Sequence, residues 1–139
     1  LNDGEVDFGM AFDAAAAAAA VEKGLLPESV RTYGPAVGSI GNISFVAIPF
    51  NAAHKEGAMV LANFLLDPAT QAKAQDITVL GSYSVLDLSR LDAAQRQAFA
   101  DLPSSPALPD AAALGPTLIE PHPGWMTELA EEWARRYTK

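Results

Sequence analysis

The sequence predicts an α/β fold whose second half is rich in helix, and three observations carry that reading. Short apolar runs at residues 5–12 and 43–48 have strand character. A seven-alanine run follows the first of them after Asp13. From residue 54 onward, capping residues and apolar spacings of helical type dominate. Strand, helix, strand, loop, strand in this order points to a mixed or α/β sheet.

Residues 5–12 read as a strand, and Asp13 stands as N-cap for a helix over 14–23 that Gly24 stops. After the turn at 25–28, residues 30–33 suit a second short strand. Residues 34–42, with three glycines and a proline, form a loop. Residues 43–48 (ISFVAI) are the clearest strand, ended by Pro49. The next helix, over 54–66, carries apolar residues on several sides and is expected to be largely buried.

Asp67-Pro68 is a start signal, a capping carboxylate followed by proline at the first helical position, for a helix over 69–76. Residues 81–84 make a turn, and Asp92 caps a helix that reaches about Asp101. Residues 103–123 hold six of the ten prolines and are expected to lie extended and stiff on a neighbour. A last helix runs from Gly124 or Trp125 to Tyr137. Its stripe of Trp125, Leu129 and Trp133 is expected to face the core.

The chain has 139 residues, enough for one modest core, and half of them are hydrophobic. No apolar run is long enough to cross a bilayer, so direct membrane insertion is not expected. The net charge of −8 comes with no lysine or arginine cluster of the kind that displaces counterions, which argues against nucleic acid. Zero cysteines exclude disulfides, thiolate zinc sites and a cysteine nucleophile. The start at Leu1, without an initiator methionine, suggests a piece of something longer.

Catalytic chemistry finds no footing. His54 and His122 each lack ligand-spaced partners for a metal. There is no G-x-S-x-G elbow, and the glycines at 34–41 lack the spacing of a phosphate loop or dinucleotide fingerprint. The carboxylate pairs Asp3/Glu5 and Glu131/Glu132 sit in exposed contexts. No cofactor is called for, and a non-enzymatic role follows. The junction at Phe12, Asp13 and Ala14 is the more informative place. Ligands of α/β folds collect beyond strand ends, where helix N-termini offer free N–H groups. Asp13 suits both capping and ligand contact there.

Four motifs in order resemble extracellular solute-binding protein family 1: GEVDFGMAFD at 4–13, LPESVR at 26–31, GNISFVAIP at 41–49 and ANFLLDPATQAK at 62–73. IPFNA at 48–52 and EPHPGW at 120–125 are similar to its YnjB-type branch. Together they cover nearly the whole chain.

The resemblance implies a partial, C-terminal segment of a periplasmic binding protein-like type II fold, two α/β lobes with ligand between them. Residues 1–42 would belong to the second lobe. Residues 43–139 would supply a hinge strand and a helical part packed on the first lobe and the hinge. It implies a periplasmic receptor that hands a small solute to the membrane permease of an ABC importer. The family's cleft contacts fall on Phe12, Asp13, Ala14, Gly41, Asn42 and Ser44, with Tyr83 as a further candidate.

Ferric-ion receptors of the family carry a tyrosine pair after the first strand, where this chain has alanines. Polyamine receptors carry an aromatic and an Asp where this chain has Asn42 and Ser44. The departures argue against iron and polyamines and leave a thiamine-like or other small polar organic solute open. A ligand-sensing effector domain of a regulator and an enzyme on the same fold are the alternative readings. A separated segment is further expected to expose apolar surface and to self-associate.

Overall fold

The computed structural model describes residues 1–41 and 43–138. Five α-helices make up most of its regular structure: α1 (Ala16–Glu22), α2 (Lys55–Leu65), α3 (Pro68–Gln75), α4 (Ala93–Ala100) and α5 (Gly124–Tyr137). Two short strands, β1 (Ser39–Ile40) and β2 (Thr117–Leu118), pair in parallel, with Ser39 opposite Thr117 and Ile40 opposite Leu118. The helix-rich second half is as the sequence predicts.

Local chemistry explains where the helices begin and end. The Asp67 carboxylate accepts from the amides of Ala69 (3.0 Å) and Thr70 (3.2 Å), and Pro68 takes the position where no N–H is needed. Asp92 and Gln95 form a reciprocal capping box at α4, with bonds of 2.8 and 3.1 Å. Gly24 stops α1 in the left-handed region at φ 68°, its amide donating to Val21 O and that of Leu25 to Ala20 O.

The core is small and built from small side chains. Ala15, Ala18, Ile77 and Ala107 are buried together, with Ala17, Val21 and Leu108 packed against them. Alanines on α1 let the turn after α3 approach closely: Gly81 lies directly against Ala15. That turn is held by the Asp76 carbonyl, which accepts from the amides of Val79, Leu80 and Gly81, each at 3.0 Å. Two glutamines of α3 fix the following segment. Gln71 Oε1 accepts from Ser84 Oγ and Val85 N, and Gln75 Oε1 accepts from Ser84 N at 2.9 Å. Contacts of α3 with α4 and with α2 complete the packing, with Ala72 and Phe99 buried.

Several sequence expectations are corrected. Residues 5–12, 30–33 and 43–48 form no strand. A strand is stabilised by ladder bonds to a neighbour, and among the described residues the only strand pair is β1 with β2. Residues 103–123 are not uniformly extended. They turn at Ser105–Leu108, where Leu108 N donates to Ser105 O at 2.9 Å, and form a 3₁₀ turn at Ala111–Leu114. They do lie on a neighbour, through buried Ala107.

The largest corrections concern burial. No residue of α2 is buried, and Met59, Val60 and Phe64 face solvent. The expected core stripe of α5 is likewise uncovered, with Trp125 57%, Leu129 61% and Trp133 65% exposed. Their amphipathic spacing is real, but apart from the Tyr137 ring packed at 4.6 Å on Trp133 each of the three remains more than half exposed.

Candidate ligand-binding site

The junction ahead of α1 is shaped by Asp13. Its Oδ1 accepts from Ala15 N at 2.9 Å, and its carbonyl accepts from Ala16 N at 3.2 Å. Asp13 thus closes a local turn two residues before the helix-flanking Ala15, and is not itself the N-cap. This occupies the first amides that the sequence left open for a ligand. Ala15 is buried under Gly81 and Ala14 is half-buried, while the Phe12 ring stands fully in solvent.

Tyr83 is the second element of this neighbourhood. Its hydroxyl donates to the Pro109 carbonyl, tying the segment after α3 to the proline-rich stretch. The phenol is half-buried, and its pKa is pushed above 10.0, first by desolvation, then by the negative charges of Asp110 and Asp13. Two residues singled out from sequence, Asp13 and Tyr83, therefore share one electrostatic neighbourhood with Asp110. The two carboxylates make this neighbourhood negative, while the phenolic hydrogen is already spent on the Pro109 carbonyl and Asp13 Oδ1 on the Ala15 amide.

Asp110 was missed by sequence reasoning. It lies among prolines, far along the chain from Asp13, and no local motif marks it.

Gly41 and Ser44 belong to the surroundings of β1. Gly41 N donates to Leu118 O at 3.4 Å, and a Cβ at Gly41 would collide with Thr117 Cγ2. A side chain at position 41 would require the Thr117 side chain on β2 to move aside. Ser44 is exposed. Asn42, between them, lies outside the described residues.

His122 helps to begin α5, its Nδ1 accepting from Gly124 N at 3.1 Å. His54 flanks the start of α2 without a side-chain bond to it. Among the described residues no group of three or more His, Asp or Glu is placed to hold a metal, and no helix is long and apolar enough to cross a membrane.

An open concavity of about 460 Å³ lies along α5, lined by Trp125, Glu128, Leu129, Glu131, Glu132 and Arg135. Every wall residue comes from one helix, so it has no opposing side and cannot enclose a small molecule.

These features define a mostly helical chain with a two-strand parallel pair, a small alanine-rich core and a largely uncovered apolar surface. No family model matches it. The chain is 38% identical over 138 residues to Protein YnjB of Escherichia coli (strain K12), a match covering 99% of this chain and 34% of YnjB. It is thus related to YnjB along its own length and spans about a third of that curated relative. No solved structure matches.

Proposed function

We infer that this chain is part of the solute-binding component of an ABC importer, working in the periplasm to capture a small polar solute between two lobes and pass it to a membrane permease. The observation that carries the reading is the ordered set of motifs from residue 4 to residue 73, which resembles extracellular solute-binding protein family 1. Residues 1–42 contribute to one lobe. Residues 43–139 contribute a segment that becomes a hinge strand once paired in the whole receptor, and a helical part that braces the other lobe.

Phe12, Asp13, Ala14, Gly41, Asn42, Ser44 and Tyr83 are the ligand contacts in this reading. The carboxylates of Asp13 and Asp110 beside Tyr83 supply a field suited to a solute with a positive charge or several N–H and O–H donors. Capture works by closure. A ligand that touches both lobes favours the closed state by its differential affinity for it, as in the periplasmic binding proteins that close about a hinge.

The test is isothermal titration of the full-length parent protein with small polar metabolites and thiamine compounds. Saturable binding of one class is expected, weakened by Asp13→Ala. Uniform silence from a folded parent overturns the reading.

A further inference from the structure

The chain exposes far more surface than its size requires. Its accessible area is 11216 Å², whereas a self-contained monomer of 14.6 kDa exposes about 6,900 Å². The excess is about 4,300 Å². Large apolar side chains stand exposed in separate parts of the chain, among them residues 6–12, residues 43–50, α2 and α5.

Two of those parts, residues 6–12 and 43–48, have the sequence character of strands but take part in no sheet. In residues 6–12 the apolar side chains recur at every second position, Val6, Phe8, Met10 and Phe12, the period of a strand with one buried face. Phe8, Met10 and Phe12 are almost wholly exposed. Among the described residues, no backbone–backbone hydrogen bond reaches residues 6–12 or 43–48. Backbone polar groups and large apolar side chains are left open together, which is how an unpaired sheet edge presents itself to another polypeptide.

The amount of surface decides what covers it. An obligate interface buries about 2,000–5,000 Å² in total, so a second copy would cover about 1,000–2,500 Å² of this chain. That leaves a large part of the excess open. Two copies would also meet with a charge of −8 each. The relative, by contrast, has 34% of its length matched by this chain, leaving roughly two thirds of a polypeptide unaccounted for.

We propose that residues 6–12, residues 43–48 and the apolar face of α5 are a docking surface for a longer polypeptide, the part of a YnjB-like protein that this chain does not span. The two open segments pair with strands of that polypeptide, and Trp125, Leu129 and Trp133 pack on its apolar side. This assembly is independent of which solute the whole protein binds.

The experiment co-expresses this chain, carrying an affinity tag, with the part of Escherichia coli YnjB outside the 138-residue match. Amide hydrogen exchange is then followed in this chain alone and in the purified complex. A one-to-one complex is expected, in which the amides of 6–12 and 43–48 slow on the order of a hundredfold, as for groups drawn into a cooperative sheet. The Phe8→Asp/Phe12→Asp variant should lose the complex, and both side chains lie outside the core, so the helices should persist by circular dichroism. A homo-oligomer of this chain protecting the same amides overturns the proposal. So does the absence of a complex with soluble remainder, or a complex in which those amides stay fast.

Discussion

Gly81 and Ala15 are in direct contact although far apart in sequence: a Cβ on Gly81 would sit 2.7 Å from Ala15 Cβ. Gly81 also adopts φ 76°, in the left-handed region. Two constraints therefore coincide at one residue. Gly81→Ala is expected to destabilise the chain by about 2 kcal/mol or more, from left-handed backbone strain plus overpacking. Urea unfolding followed by circular dichroism measures it. Adding Ala15→Gly should relieve the clash but not the strain, so recovery should be partial.

The capping box at α4 yields a second expectation. Asp92→Ala removes the acceptor for Gln95 N and should cost about 1 kcal/mol, while Asp92→Asn or Asp92→Ser should retain most of the cap. The loss should appear as faster amide exchange in the first turn of α4, with α5 unchanged. A uniform effect on both helices would show that Asp92 acts other than as a local cap.

Legibility in the sequence follows the range of the interactions. Asp67-Pro68 and Asp92 were readable as helix starts because a cap is satisfied within three residues. Gly24 was readable as a stop for the same reason. The strands expected at 5–12 and 43–48 failed because ladder bonds need a neighbour, which propensity does not provide. The apolar stripe of α5 was correctly located, but its burial was misjudged, since amphipathic spacing reveals a face and not what covers it. Of the Asp13, Tyr83 and Asp110 neighbourhood, Asp13 could be singled out at the expected strand-to-helix junction and Tyr83 only through the family resemblance. Asp110 could not, because only the path of the proline-rich segment brings its charge near them.

Asp76 should make the turn after α3 sensitive to acid. Its carboxylate accepts from Thr78 Oγ1 at 2.7 Å and from Thr78 N at 2.8 Å, and these bonds hold its pKa below 3.8, the hydroxyl bond contributing most. A depressed carboxylate contributes stability above its unfolded pKa and loses it as pH falls through the folded one. Asp76→Ala should therefore lower the urea midpoint at neutral pH, and the difference should shrink as the pH falls below 3.8. A difference that persists unchanged in acid would assign the effect to something other than the ionised carboxylate.

Tyr83 gives the opposite dependence, at alkaline pH. Burial, then Asp110, then Asp13, disfavour its phenolate, so the folded pKa lies above 10.0. A raised pKa leaves stability intact below the unfolded value and withdraws it as pH climbs from there through the folded value. In a Tyr33→Phe/Tyr137→Phe background, tyrosinate absorbance should therefore titrate above 10.0 and fall back to the ordinary value on unfolding. Asp110→Asn should lower the titration point more than Asp13→Asn, because Asp110 is the stronger of the two charges acting on the phenol. Both variants keep the bond from Tyr83 to the Pro109 carbonyl, so a change in titration without loss of helix reports charge alone. If neither variant moves the phenol, the shared neighbourhood of Asp13, Tyr83 and Asp110 does not exist in solution, and the field invoked for a cationic or donor-rich solute goes with it.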